Sequence, residues 1–424
     1  MVFNAAPGPF EHQSVRVLSR RVTCRERRDK EGIAIQFRKG APLNRILTTH
    51  VGSLPRPPAL LDAMKARLDG REPRDYPRQV RRAVGDCVRR QVKAGIDIVS
   101  DGEQSKPGFF TYVEERLAGF ESRPDMKVEL FPAEVRAFPE YYAQYFQQAM
   151  IGGAIARPTP LVCTGPVAYR SLEPLRRDIA NLHAAVKGAG ARAAFMPAIA
   201  PTGVGSNAYY KSDEEYLHAV GAAMRTEYQA IVDAGLFLQI DDPFLCDVLV
   251  DPRLEPRQRR KGAALHVEVV NEAVRGIPPE RIRFHTCYGI NEGPRIHEAP
   301  MRDVARYMLR INAGAYSFES ANPRHEHEYH LWDEIKLPDG KAIIPGMLLH
   351  ASNIVEHPEL IAERLLRFAT RVGRENVIAG TDCGFSSQAS YHPEVHPTVV
   401  WAKFEALRAG ARLASRRLWP RTRR

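Results

Sequence analysis

Residues 236–243 read Leu-Phe-Leu-Gln-Ile-Asp-Asp-Pro and residues 282–287 read Ile-Arg-Phe-His-Thr-Cys, with a helical pattern, Arg257–Val274, between them. Each apolar run is strand-length and stops abruptly on polar residues. Strand, helix, strand in that order is the unit of a parallel sheet. The same signal recurs outward in both directions. Strands are expected at Ile46–Val51, Ile96–Ser100, Leu161–Thr164, Ala194–Ile199, Leu236–Ile240, Ile282–Cys287, Ala315–Phe318, Ile343–Leu349 and Val377–Gly380. Helices are expected at Arg78–Ala94, Glu214–Ala234, Arg257–Val274, Met301–Ala313 and Pro358–Val372. The chain of 424 residues suits one large α/β domain, a single (β/α)8 TIM-type barrel. Nine candidates compete for eight barrel positions, so one lies outside; 161–164 and 194–199 carry the weakest signals. A doubly wound sheet is the alternative, but it would spread the polar strand ends along an edge.

In a barrel the C-terminal strand ends share one face, where active sites are built. The ends here are His50-Val-Gly-Ser53, Ser100-Asp-Gly-Glu103, Thr164-Gly-Pro166, Gln239-Ile-Asp241-Asp-Pro243, His285-Thr-Cys287, Glu319-Ser-Ala-Asn322, His350-Ala-Ser-Asn353 and Asp382-Cys383-Gly384. Residues 104–160 interrupt the alternation and are rich in aromatics, among them Phe109, Phe131, Tyr141, Tyr142 and Tyr145. A long insertion on a strand-end loop forms a lid or a subunit contact.

The net charge of +11 sits in the termini. Residues 1–40 hold nine Lys/Arg against four Asp/Glu, and residues 416–424 hold five Arg and no acid, leaving about +1 for the body. The charge therefore gives no support for a nucleic-acid surface, which would need a basic patch on the folded domain. Three segments are expected: 1–43, a disordered basic extension; 44–415, the barrel; 416–424, a basic tail. No apolar run approaches the roughly 18 residues of a membrane span. Six scattered cysteines and the absence of a secretory signal pattern imply a reducing, cytoplasmic setting.

His285 and Cys287 stand two apart on a strand and so face the same way. With Glu319 and Cys383 at later strand ends they make a tetrahedral donor set suited to Zn2+. A zinc site with two thiolates can bind an incoming thiol and lower its pKa. Alkyl transfer onto sulfur is the chemistry implied. Cys24, Cys87 and Cys163 read as structural, as does Cys246, which could instead line the pocket. Asp101, Glu103, Asp241 and Asp242 gather at strand ends, where carboxylates hold an ammonium group or cap a helix. The run Arg324-His-Glu-His-Glu-Tyr-His330 reads as a solvated or substrate-facing loop rather than a second metal site. Of His350, His392 and His396, only His350 follows a strand and is the candidate proton carrier.

These motifs together resemble the catalytic barrel of the cobalamin-independent methionine synthases, from about Ile46 to Leu413. The resemblance rests on Thr-Thr-His-Val-Gly-Ser-Leu-Pro (48–55), Ser-Asp-Gly-Glu (100–103), Thr-Gly-Pro (164–166), Gln-Ile-Asp-Asp-Pro (239–243), His-Thr-Cys-Tyr (285–288), Phe-Glu-Ser (318–320) and Asp-Cys-Gly (382–384). It implies His285, Cys287, Glu319 and Cys383 as zinc ligands, Ser53 at the amino-acid carboxylate, and Glu103 and Asp241 at its ammonium. It further implies a homocysteine thiol that displaces one ligand, Glu319, and attacks the methyl of 5-methyltetrahydrofolate, giving methionine. Full-length members carry a second, N-terminal barrel that helps accommodate the folate. The 424 residues account for one barrel, which leaves the methyl carrier open. Pro345-Gly346 leads to His350 one position earlier than in the family, which leaves the general acid open as well. The expected partners are a small thiol and a methyl donor, with a homo-oligomer left open and neither nucleic acid nor membrane. Two rival readings stand beside it: alkyl transfer to another thiol, as in the epoxyalkane:coenzyme M transferases, and a non-catalytic zinc-binding barrel.

Overall fold

A computed structural model describes residues 44–126, 129–148, 153–155, 159–289 and 292–420. Eleven strands are present among them: β1 Leu47–Thr48, β2 Ile98–Val99, β3 Leu117–Ser122, β4 Leu161–Tyr169, β5 Ala193–Ile199, β6 Ser206–Asn207, β7 Phe237–Asp241, β8 Ile282–His285, β9 Ala315–Phe318, β10 Ala342–Pro345 and β11 Ile378–Ala379. Six of them form a parallel sheet in the order β10-β9-β8-β7-β5-β2. Parallel bridges Ile343–Val377 and Gly346–Gly380 add β11, which pairs in parallel with β1. The Asp97 N–H donates to Thr48 O (3.1 Å) and closes the ring from β1 to β2. The result is the expected (β/α)8 barrel: eight parallel strands met in chain order, an arrangement without edges.

The ninth strand candidate, 161–164, is the one outside. β4 lies between β3 and β6 in a separate three-stranded sheet, antiparallel to β3. Its residues alternate between buried and exposed, whereas Ala193–Ile199 is buried throughout, as a barrel strand covered on both faces must be.

Alternation along the strands divides the core in two. Leu47, Ile98, Phe195, Phe237, Ala315, Ile344 and Ile378 pack together inside the barrel. Leu238, Ile240, Phe284 and Ile343 pack outward among residues of the helices. Burying each interior phenylalanine stabilises the fold by roughly 1.5–3 kcal/mol. Arg283 also points inward. Its guanidinium lies 4.0 Å from the centre of the Phe195 ring and donates across the barrel to Thr49 Oγ1 (2.9 Å) and His50 O (2.7 Å).

The helices match the periodicity closely. Asp213–Asp233 begins where Ser212 Oγ accepts from the Glu215 N–H (3.1 Å), with three acids in its first turn to complement the helix dipole. Pro358–Val372 agrees end for end. Met301–Met308 is five residues shorter than the pattern suggested. Asn271 of the neighbouring helix accepts from the Asn312 N–H (2.8 Å) and donates to Arg310 O (3.0 Å), drawing the chain out of the helix. The last helix, Pro397–Leu418, continues into the segment set aside as a basic tail. Arg416 and Arg417 occupy its final turn, and Arg417 pairs with Glu359 at 2.5 Å. The expectations for residues 1–43, including Cys24, lie outside the described residues. Among the described residues no helix is long and apolar enough to cross a membrane.

The aromatic insertion sits over the strand-end face. The Tyr141 hydroxyl donates to Glu292 O (2.8 Å), in the loop after β8. The Ile155 N–H donates to Ala389 O (2.9 Å) and Ser390 Oγ to Gly153 O (2.6 Å), in the loop after β11. The insertion thus ties together the two loops that carry the candidate thiols.

Candidate active site

β8 places His285 and Cys287 at the barrel mouth, and the turn after β11 brings Cys383 to them. One donor atom from each residue lies within 4.8 Å of the other two, and the two Sγ atoms are 3.5 Å apart. All three residues are buried. His285 Nδ1 lies 3.1 Å from Ser317 Oγ, while its Nε2 is buried without a partner. Burial, then the nearby Arg283 charge, pulls this imidazole down to about 3, so the ring is neutral and has a lone pair to give. Cys287 is pushed well above the usual thiol range, first by Cys383 and then by burial. Two adjacent buried thiols cannot both ionise unless a cation joins them. An orphaned imidazole nitrogen and two such thiols fit a zinc ion.

Glu319, the expected fourth ligand, stands apart from those three. Its carboxylate accepts from the Tyr288 N–H (3.1 Å), Arg295 Nη2 (2.8 Å) and Asn322 Nδ2 (2.8 Å). Burial opposes its charge, but Arg295 and His350 hold it below the ordinary carboxylate range. It forms a second group with His350 and Asp382, again within 4.8 Å. Asp382 Oδ1 accepts from the Ser320 (2.8 Å) and Ala321 (2.7 Å) N–H groups, and its Oδ2 is buried without a partner. Burial and Glu319 push Asp382 up to about 7. His350 is buried with Nδ1 unpartnered, and burial brings it down to about 4.

The amino-acid pocket adjoins the thiols. A Cβ on Gly384, next to Cys383, would strike Ser53 Oγ, so glycine is needed there for close approach. A Cβ on Gly52 would come within 3.0 Å of Glu103 Oε1, which places that carboxylate beside Ser53. Glu103 has φ 53°, a left-handed conformation that costs a non-glycine residue roughly 1 kcal/mol or more and recurs at functional sites. Asp101 Oδ1 accepting from its N–H (2.9 Å) and Arg56 donating to its carbonyl (2.8 Å) hold it there. Glu103 Oε2 is buried and unpartnered. Asp241 is the register partner of His285. Burial first, and then the facing Glu103, push its carboxyl well above the usual range. Two facing buried carboxylates call for a cation, and an ammonium group supplies one. Ser53, Glu103, Asp241, His285, Cys287 and Cys383 therefore run around one mouth.

Other candidates resolve as structural. Asp242 accepts from the Leu245 N–H (3.1 Å) at the start of a short helix, and Asp101 closes the turn to Glu103. Cys87, Cys163 and Cys246 are buried and unbridged, with Cys246 Sγ against Thr286 Oγ1 at 3.4 Å. In the 324–330 run, His325 is held between Glu298 (2.9 Å) and Glu328 (2.6 Å), and His330 lies exposed beside Asp333. Arg295, Asn322, Arg56 and Lys106 were not singled out in the sequence; no short-range pattern marks them.

Against known families, residues 46–194 and 201–399 match the model of the cobalamin-independent synthase catalytic domain, which is most of the chain. The chain belongs to the cobalamin-independent methionine synthase family. Among curated members, "Methionine synthase" of Thermococcus kodakarensis is 25% identical over 345 residues, covering 80% of this chain and 86% of the relative. The 5-methyltetrahydropteroyltriglutamate–homocysteine methyltransferase of Streptomyces avermitilis is 24% identical over 296 residues, and there the match spans only 33% of the longer protein. In fold, this family member resembles the B12-independent methionine synthase from Shewanella sp. W3-18-1 solved in complex with selenomethionine. The TM-score is 0.64 at 19% identity, over 88% of this chain and 99% of that one.

Proposed function

We propose that this chain is a zinc-dependent S-methyltransferase that methylates a small thiol, homocysteine, to give methionine. The observation that carries the reading is the convergence of an unpartnered His285 Nε2 with two thiols 3.5 Å apart, beside a pocket lined by two facing carboxylates. Relatives of similar length are named methionine synthase, and the Shewanella protein was solved with a selenium analogue of methionine bound, which supports the same product.

His285, Cys287 and Cys383 would hold the zinc ion, which when bound supplies an electrophilic centre that lowers the pKa of a thiol. Glu103 and Asp241 would take the ammonium group, and the Gly52-Ser53 turn the carboxylate. Together they fix the thiol end beside the cysteines. In the reaction a sulfur–methyl bond forms as the bond from methyl to its carrier breaks, and the leaving group takes up a proton. His350 would carry that proton at Nδ1. With its imidazole at about 4 it is neutral at pH 7, so it needs a negative substrate group alongside before it can be charged. The insertion, spanning the loops after β8 and β11, would keep water from the sulfur. The carrier is a methylated folate or another methyl carrier.

A panel of methyl donors assayed with homocysteine and zinc-loaded protein tests the reading. Methionine should form with one of them, and Cys383→Ser should abolish it. Equal turnover in the metal-free Cys383→Ser protein would sink the proposal.

A further inference from the structure

The contacts around Glu319 extend well beyond the mouth. Arg295 is 4% exposed and left-handed at φ 58°. Its Nη2 donates to Glu319 Oε2 (2.8 Å) and its Nε to Glu298 Oε1 (2.5 Å). The Arg295 backbone is held in turn by the insertion. Glu134, on the short helix Pro132–Ala137, accepts from the Arg295 N–H (3.1 Å) and from the His297 N–H (2.6 Å). Glu134 is itself 3% exposed, and 161 residues separate it from Arg295. A buried carboxylate spent on two backbone N–H groups of another loop is a built contact, because a buried charge without such partners is costly.

We infer that Arg295, seated by Glu134, is a positioning residue that holds Glu319 away from the His285–Cys287–Cys383 group and so sets how readily that carboxylate joins the metal. The inference rests on the proposed zinc chemistry. With Arg295 and Asn322 on one oxygen and the Tyr288 N–H on the other, the Glu319 carboxylate is fully engaged without an ion. Any cation bound at the three ligands competes with the guanidinium for it. The insertion therefore does more than cover the site. By fixing Arg295 it keeps the fourth metal position open to an incoming thiol.

The test is a titration of the thiol-free, metal-stripped full chain with zinc against a chromophoric chelator, and with cobalt(II) followed by its d–d absorption. Arg295→Met should bind zinc about tenfold more tightly than wild type, at the lower end of what residues around metal ligands change. Its cobalt spectrum should shift as a carboxylate enters. Both effects should vanish in the Arg295→Met/Glu319→Gln double variant, and Arg295→Lys should restore part of the wild-type affinity. Unchanged or weaker zinc binding by Arg295→Met, or the same change in both backgrounds, would overturn the inference and leave the zinc reading intact. If Arg295→Met does not fold, Glu134→Gln reads the same quantity: tighter binding that depends on Glu319 supports the inference, and any other result overturns it. A wild-type chain that takes up no zinc or cobalt overturns both.

Discussion

Cys287 and Cys383 approach to 3.5 Å between their sulfur atoms, and His285 Nε2 is buried beside them without a hydrogen-bond partner. Thiols bind zinc as thiolates, so loading the metal releases protons. Calorimetry in buffers of different ionisation enthalpy should show proton release on zinc binding and uptake on chelation. Cys287→Ser and Cys383→Ser should each weaken zinc by more than the ~10–100-fold lost with a supporting residue.

Glu103 and Asp241 face each other beside Ser53, and Glu103 Oε2 has no partner. Losing a charge-assisted hydrogen bond costs about 1.5–3 kcal/mol. Glu103→Gln or Asp241→Asn should therefore raise KM for homocysteine on the order of 10–100-fold. The same variants should leave the zinc affinity for 4-mercaptobutyrate, which lacks the ammonium, nearly unchanged. An equal loss with both thiols would remove these residues from ammonium recognition.

Arg116 joins the insertion to the barrel through Asp178 (2.6 Å) and Glu227 (3.0 Å), all three buried. Tyr112 and Tyr169 donate to the same Glu227 at 2.9 and 2.6 Å. Arg116→Met would leave two buried carboxylates without their cation and should destabilise the fold by roughly 3–5 kcal/mol. Denaturant unfolding of the two proteins reads the difference.

His325 supplies a pH dependence. Burial disfavours its charge, but Glu298 and Glu328 outweigh burial and raise it to about 9 from the ordinary 6.5. A pKa raised by folding stabilises the native state fully below the unfolded value and is lost as pH rises through the folded one. Stability should therefore fall by roughly 3 kcal/mol at most between pH 6.5 and 9. In His325→Gln that slope should flatten. An unchanged slope would show that the titration lies elsewhere.

The barrel was legible because polar strand ends interrupt apolar runs at regular spacing, and seven of those ends lie around the mouth. The strand at 161–164 read like the others over four residues. Its pairing with β3, inside the insertion, is a long-range choice that a local apolar run does not record. His285, Cys287 and Cys383 were legible as chemistry because thiols and imidazole at strand ends have few other uses. The separation of Glu319 from them was not. It depends on Arg295, whose seat is a carboxylate 161 residues earlier, and neither residue stands in a periodic pattern. Side chains that act through a distant backbone contact leave no mark on their own neighbourhood in sequence.

The most direct test of the account is zinc content followed by proton release when homocysteine is added. The account predicts about one zinc per chain, as expected for a single tetrahedral site, and release of a proton that depends on the thiol and disappears in Cys383→Ser. A protein without zinc, or zinc that responds to no thiol, would contradict it.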